Sequence, residues 1–353
     1  MIKVTNTISE ELENSRDTAL ASLIWSTGSI PMSEQAKLVL LESGETVGTI
    51  GGGCLEAEIY ECCRSVLRTG KTERFQYTMT EKQAGEDGLN CGGSVEIFIE
   101  KIYSGAGNLF SAVQLLLKQR ATFCSVVGLK RGKRILIDEY GNILHNDRPG
   151  IETSHAIELA RKSFIIRKGF IYKKDDLHSN EDVFVEPYLP QPKLYIFGGG
   201  HVGAEVAKLA KNVGFRVAIL DDRPHFANPK RHPYCDEYYT GEIHEMFSQL
   251  KIDIHSYILA VTRGHQHDEL VVEQALKTSA FFIGMLGSER KKKILWERLS
   301  DRGVEEEALS KVSSPVGMNV GADNPEEIAV SILAELIKVR RGIKREWKTK
   351  KGF

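Results

Sequence analysis

Lys193-Leu194-Tyr195-Ile196-Phe197-Gly198-Gly199-Gly200-His201-Val202-Gly203 decides how the second half of the chain folds. An apolar run of strand type enters Gly198-x-Gly200-x-x-Gly203, a helical pattern follows, and the next strand, Val217 to Leu220, ends at Asp221. This is the context a dinucleotide fingerprint needs. Gly198 would make the tight turn, Gly200 would let a pyrophosphate approach the backbone, Gly203 would let helix and strand pack, and Asp221 could accept from a ribose hydroxyl. Asp222 and Arg223 leave NAD and NADP equally open. Further buried-strand runs at Ser256–Val261 and Phe281–Met285 alternate with helical patterns, which predicts a doubly wound parallel sheet from residue 191 to 353. Its last helix is marked by Asn324 as cap, Pro325 at the first position, and Glu326 and Glu327 in the first turn.

Two loops leave the ends of later strands in this domain, where ligands bind in such folds. Thr262-Arg263-Gly264-His265-Gln266-His267-Asp268 offers Arg263 and His265 as ligand contacts; its His-x-His-Asp cluster could supply metal ligands or an acid–base pair, or Asp268 could simply cap a helix from Glu269 to Leu276. Gly287-Ser288-Glu289-Arg290-Lys291 adds cations that, with Arg263, could hold a phosphate.

The first half carries a different glycine turn, Gly51-Gly52-Gly53-Cys54-Leu55-Glu56, between a strand at Thr46–Ile50 and a helix at Leu55–Leu67 that Gly70 closes. Three glycines there suit an amide nest for an anion, and a thiol at a helix start is expected to have a depressed pKa. Cys91-Gly92-Gly93 precedes a strand at Ser94–Glu100, and a first helix is expected over Ser9–Leu23. Residues 1–103 therefore read as an α+β domain. Residues 104–190 read as a degenerate internal repeat: RDTALASL aligns with RATFCSVV, KLVLLESGETVG with RILIDEYGNILH, and VEIFIEKIY with EDVFVEPYL. The glycine triplet and Cys-Gly-Gly, absent from the second copy, read as insertions.

The 353 residues suit two or three domains, and 47 Lys and Arg against 48 Asp and Glu give a net charge of -1, which argues against nucleic acid or anionic lipid as partner. No apolar run is long enough for a membrane span. A cytoplasmic protein with its 6 cysteines reduced is expected, without a zinc-type cysteine pairing and with no metal-ligand set assigned.

The stretches GSIP, KLVLLESGETVGTIGGGCLE, CGGSVEIFIE, LYIFGGGHVGAEVAKLA, LDDRPHFANPKRHP, VTRGHQHDE and GMLGSERK together resemble the xanthine dehydrogenase accessory proteins of the XdhC/CoxI type. The resemblance implies a non-enzymatic molybdenum-cofactor chaperone that protects the molybdopterin, supports its sulfuration with a cysteine desulfurase, and delivers it to a molybdenum hydroxylase of the xanthine dehydrogenase class. Expected cofactor contacts are Gly51, Gly52, Gly53, Cys54, Glu56, Cys91 and Gly92 in the first half, and Gly198, Gly200, His201, Gly203, Asp221, Arg263 and His265 in the second. A homo-oligomer, most simply a dimer, is expected. The alternatives are an NAD(P)-dependent oxidoreductase using the second domain and a sulfur-transfer enzyme using Cys54.

Overall fold

The computed structural model describes residues 2–78 except 29, 31 and 34, together with 93–175 and 177–342; within these the side chains of 2, 106–108 and 265 are not described. The contact pattern divides the chain into two compact units, Met1–Pro190 and Gln191–Phe353. Among the described residues, no helix is long and apolar enough to cross a membrane.

The first unit is one plan laid down twice. The first pass is α1 (Ile2–Glu13), β1 (Thr18–Thr27), β2 (Lys37–Leu41), β3 (Thr46–Thr49), α2 (Gly53–Thr69), β4 (Glu73–Thr78) and β5 (Ser94–Ile102). The second is α3 (Gly107–Gln119), β6 (Phe123–Gly128), β7 (Arg134–Asp138), β8 (Ile143–Asn146), α4 (Thr153–Ile166), β9 (Phe170–Tyr172) and β10 (Val183–Tyr188). Each pass forms an antiparallel sheet, ordered β3-β2-β1-β5-β4 and β8-β7-β6-β10-β9. One face of each sheet packs on its own helix: Ala19, Ala21, Leu38 and Leu40 on the α2 residues Leu55, Ile59 and Cys63, and Cys124, Val126, Ile135 and Ile137 on the α4 residues Ala156, Leu159 and Ala160. The opposite faces meet through Leu20, Val39, Ile102, Phe123 and Leu136, with α1 and α3 joining the same core.

The expected helix over Ser9–Leu23 is corrected: the helix ends at Glu13, and Thr18–Thr27 is the central strand of the first sheet. An apolar run buried on both sides has no period that separates helix from strand, and Ser15 at φ 57° breaks the helix before it. The repeat alignment also slips at the first strand. Ala19 pairs with Leu40 and Cys124 with Ile137, so Ala19 matches Cys124, whereas RDTALASL on RATFCSVV sets it against Phe123 on the opposite face. The other two aligned strand segments keep the observed register, with Leu40 equivalent to Ile137 and Glu100 to Glu186.

Equivalent residues then cross between the sheets. Lys37 Nζ meets Glu186 at 2.9 Å, and its counterpart Arg134 pairs with Glu100, the counterpart of Glu186; in both pairs 8% of the cation and 6% of the carboxylate side chain remain exposed. The Tyr188 hydroxyl donates to Glu186 at 2.8 Å, and the Tyr188 ring stacks on Phe123. Arg74 on β4 bridges Glu96 and its counterpart Asp182. Burial pulls the Asp182 carboxyl up, but the Lys174 amide, Arg74 and Lys173 outweigh it and hold the group at about 2.

The second unit is a parallel sheet of β11 (Lys193–Phe197), β12 (Arg216–Asp221), β13 (Glu237–Thr240), β14 (Ser256–Ala260), β15 (Phe282–Met285) and β16 (Val312–Ser313), ordered β13-β12-β11-β14-β15-β16. Numbered within the unit this is 3-2-1-4-5-6, the doubly wound order of dinucleotide-binding folds. Helices α5 (His201–Asn212), α6 (Ile243–Gln249), α7 (His265–Leu276), α8 (Glu289–Asp301), α9 (Glu306–Ser310) and α10 (Pro325–Arg340) complete it, with one apolar core on each face of the sheet. Asn324 caps α10 by accepting from the Glu327 amide at 2.9 Å, as the sequence indicates.

Removing one member of a buried ion pair leaves its partner charged in an apolar setting, at a cost of roughly 3–5 kcal/mol. Glu100→Gln or Arg134→Met alone is expected to lower stability by about that amount, whereas the double variant recovers most of it; urea unfolding of the four proteins checks this. Because the Asp182 carboxyl is held near 2 against an ordinary value of about 3.9, its contribution is complete above that ordinary value and is lost as the pH falls toward 2. Asp182→Asn should therefore flatten the acid limb of a stability-versus-pH curve and leave its shape unchanged above pH of about 5.

Candidate functional site

The glycine triplet sits where the first sheet ends. Strand β1 runs out at Thr27 opposite Ser94, and β3 runs out at Thr49 opposite Lys37, so Gly28, Ala36 before β2, the turn Gly51–Gly53, and Gly93 all lie at one end of the sheet. Cys91 and Gly92 lie outside the described residues. Gly51, Gly52 and Gly53 have φ of 107°, 78° and 62°, three consecutive left-handed residues that only glycine adopts without strain. A side chain on Gly51 would also collide with Met32, whereas the equivalent position on Gly52 meets nothing within 4 Å. Glu56 is committed to the turn itself, since its Oε1 accepts from Thr49 Oγ1 at 2.6 Å and from the Ile50 amide at 2.9 Å. Burial raises this carboxyl, but hydrogen bonds from Thr49 and the Ile50 and Gly52 amides outweigh it, so the group stays ionised.

Cys54 follows as the second residue of the 17-residue helix α2 and is the exposed one among the 5 described cysteines. Burial pushes the Cys63, Cys124 and Cys235 thiols up to about 12, and burial with the Glu73 charge lifts Cys62 to about 11. These four are unsuited to act as thiolates near neutral pH. In the second copy the corresponding connection is Asp147 to Glu152, six residues between β8 and α4 against the three, Ile50 to Gly52, between β3 and α2. The triplet is therefore a tighter turn in place of a longer one, which corrects its reading as an insertion.

In the second unit the glycine turn has the expected backbone. A Cβ on Gly198 would sit 2.3 Å from the Val261 carbonyl and one on Gly203 would sit 1.9 Å from the Gly198 carbonyl, while Gly200 meets nothing within 4 Å and is open on its outer side. His201 is exposed at the first position of α5. Asp221, expected to accept from a ribose hydroxyl, has its carboxylate engaged within the protein. One oxygen accepts from the Gly199 amide at 2.9 Å and Arg223 Nη2 at 3.1 Å, the other from the Arg223 amide at 3.0 Å and Nε at 2.9 Å. A carboxylate offers about four acceptor positions, all taken here. Burial would raise Asp221, but Arg223 and the Gly199 amide hold it below the usual carboxylate range.

The segment after Asp221 covers the turn. The Phe226 carbonyl lies so close to Gly199 that a Cβ there would approach to 1.9 Å, and His232 Nε2 bonds that same carbonyl at 2.9 Å. Burial lowers the His232 pKa and keeps the ring neutral. Arg223 and Arg231 lie over the Phe226 ring, at 3.7 Å and 4.5 Å from its centre.

The two later loops line an open depression of about 500 Å³ at the ends of β14 and β15, formed in part by Arg263, Gly264, Ser288, Arg290, Lys291 and Arg298. Helix α7 begins at His265, four residues earlier than expected, with Gly264 at its cap; of His265 only the backbone is described. Asp268 is consequently not the cap. It is buried in the first turn of α7, accepts from the Thr262 amide at 3.0 Å and Oγ1 at 2.7 Å, and pairs with Lys291. Arg263 bonds Asp222 at 2.6 Å, tying the loop after β14 to the end of β12.

The family model described as the XdhC Rossmann domain matches residues 194–336, and that of the XdhC and CoxI family matches 12–78. The chain belongs to the XdhC and CoxI family. It is 24% identical over 341 residues, 94% of this chain and 96% of the relative, to a Bacillus subtilis (strain 168) protein named as a probable xanthine dehydrogenase subunit. It is 23% identical over 337 residues, 94% and 86% of the two chains, to the molybdenum cofactor insertion chaperone PaoD of Escherichia coli (strain K12). A Bacillus halodurans crystal structure described as a xanthine dehydrogenase shares the fold, with a TM-score of 0.68 at 24% identity over 98% of both chains. The two XdhC and CoxI matches leave residues 79–193, and hence the second copy, outside them.

In this XdhC and CoxI family member, sequence reasoning missed Arg223 as the group that closes Asp221, Gly199 as the contact for the Phe226 carbonyl, and Arg298 in the wall of the depression. Arg298 did carry a signal, because Arg290, Ile294 and Arg298 recur at four-residue spacing on α8 and so share one face. Gly199→Ala would drive a methyl group into backbone, so it should lower the melting temperature of the protein sharply. Gly200→Ala, with an ordinary φ of -71° and open space, should melt within a degree or two of the parent; thermal denaturation of both checks the assignment.

Proposed function

We propose that the protein is an accessory protein that takes up the molybdenum cofactor as cargo and hands it to a molybdenum hydroxylase of the xanthine dehydrogenase class. The observation that carries the reading is Cys54: an exposed thiol on the first turn of α2, behind a turn whose three glycines present no side chains. The cargo has a soft metal with sulfur ligands at one end and a phosphate at the other, and a thiol is the protein group suited to the metal end. Gly51, Gly52 and Gly53 let a bulky ligand come close to the backbone, and Glu56 holds them in place through Thr49 and Ile50. Cys91 and Gly92, outside the described residues, belong to the same proposal as cofactor contacts.

Family membership and the likeness to PaoD support the cargo, and the name of the Bacillus subtilis relative supports a recipient of xanthine dehydrogenase type. Protection and sulfuration of the cofactor, with a cysteine desulfurase as sulfur donor, belong to the same proposal, as does action as a homodimer. The oxidoreductase alternative is weakened by Asp221, whose acceptor positions Arg223 and the Gly199 amide already fill.

Protein purified from cells that make the cofactor is expected to carry molybdenum and pterin together, measured by metal analysis and by fluorescence of the oxidised pterin. Cys54→Ala should lower both severalfold, without a change in melting temperature because the side chain is exposed. Equal loading and equal activation of an apo-hydroxylase by the variant would overturn the assignment of Cys54.

A further inference from the structure

The two copies in the first unit differ at one point on their facing surfaces. Strand register places Ser22 opposite Lys37 in the first sheet and Val127 opposite Arg134 in the second, so a valine stands where the first copy has a serine. The second copy carries its serine two residues earlier, at Ser125, the counterpart of Leu20. In the first copy the serine serves its neighbour directly, because Lys37 Nζ donates to Ser22 Oγ at 3.2 Å as well as to Glu186 at 2.9 Å. Arg134 has no such neighbour.

Two polar atoms are left without a partner as a result. Arg134 donates through Nη2 to Glu100, but among the described residues its Nε has no acceptor and Ser125 Oγ has no hydrogen-bond partner. Both residues are buried, Ser125 to 3% and Arg134 to 6% residual exposure. A buried N–H or hydroxyl left unpaired is costly, and folded proteins rarely leave one so. Both line one cavity of about 30 Å³ between the two sheets, together with Ser22, Lys37, Glu100 and Glu186. Ser125 is paired across the ladder with Glu186, and Arg134 lies diagonal to it on β7, so all three point to the same face of the second sheet.

We infer that this cavity is a binding site for one ordered water molecule, which accepts from Arg134 Nε and bonds Ser125 Oγ. It completes in the second copy the contact that Ser22 makes directly in the first. The volume suits a single water, whose share of the liquid is about 30 Å³ and which needs roughly two to four polar partners. Arg134 Nε and Ser125 Oγ supply two, and the carboxylates of Glu100 and Glu186 on the same wall are acceptors for its hydrogens. An anion is disfavoured, because those two carboxylates already balance Lys37 and Arg134. The site belongs to the first unit alone and does not depend on the cargo proposed for Cys54.

A high-resolution crystal structure of the full-length protein should show a density peak within hydrogen-bond reach of both Ser125 Oγ and Arg134 Nε, with no anomalous signal there after a bromide soak. Thermal denaturation gives a second reading. Ser125→Val puts a methyl group in place of the water and leaves Arg134 Nε unpaired, so it should lower the melting temperature by several degrees. In the Glu100→Gln/Arg134→Met background, which has no guanidinium to strand, the same substitution should leave the melting temperature unchanged or raise it. The inference is overturned if no peak appears at the site or if bromide occupies it. It is equally overturned if Ser125→Val raises the melting temperature of the parent, as filling a dry cavity would, or lowers it by the same amount in both backgrounds, as simple overpacking would.

Discussion

Lys37 reaches across to Glu186 while Arg134 reaches back to Glu100, and the rest of the first unit is arranged around that exchange. Two sheets of five strands, each with a helix on its outer face, leave two inner faces that must be covered. Packing them on each other solves the burial problem for both. It also brings the charges at equivalent positions into the same buried space. Four such charges would be costly if any stood alone, and the crossed arrangement gives each one a partner from the other sheet. Tyr188 adds a hydrogen bond to Glu186, and Arg74 spans the equivalent acids Glu96 and Asp182 farther along. The contacts specify the pairing of the copies more than they add stability, because an apolar replacement of a whole pair is often neutral.

That division of labour explains why the second copy can lack the chemical motifs of the first. Its contribution is a matching inner face and matching charges, which Phe123, Leu136, Arg134 and Glu186 supply. Its turn before α4 has six residues and no glycine triplet, whereas the first copy compresses the same connection into a short turn whose glycines 51, 52 and 53 all need positive φ. A turn of that kind costs conformational entropy, and Glu56 offsets part of the cost by bonding Thr49 and Ile50. The outcome is a helix start kept clear of side chains, with Cys54 exposed on it.

What can be read from the sequence follows the range of the interactions involved. The cap of α10 and the glycines at 198 and 203 answer to constraints of the local turn, and both are legible. The first half of Thr18–Thr27 reads as helix because its neighbours β2 and β5 lie elsewhere in the chain, and a run buried on two faces carries no alternation to reveal them. The repeat is visible in outline, but matching Arg16 to Arg120 draws the first strand one residue out, and only the pairing of Ala19 with Leu40 and Cys124 with Ile137 corrects it. A helix cap is the local choice for Asp268, an acid before an apolar run, whereas a long-range partner, Lys291, takes it into the interior.

The closure of Asp221 shows why a fingerprint alone does not specify a ligand. Gly198 and Gly203 meet the steric demands of the turn in full, and those demands come from Val261 and from the packing of α5 on β11, within the protein. Of the three fingerprint glycines only Gly200 has an open outer face. The acid that would select a ribose is held instead by an arginine two residues on, and the segment that follows returns over the turn so that the Phe226 carbonyl rests against Gly199. A fold of this order carries its helix dipoles at the carboxyl edge of the sheet whether or not that acid is available. The same architecture can therefore keep the glycine turn for packing, whether or not a dinucleotide binds there.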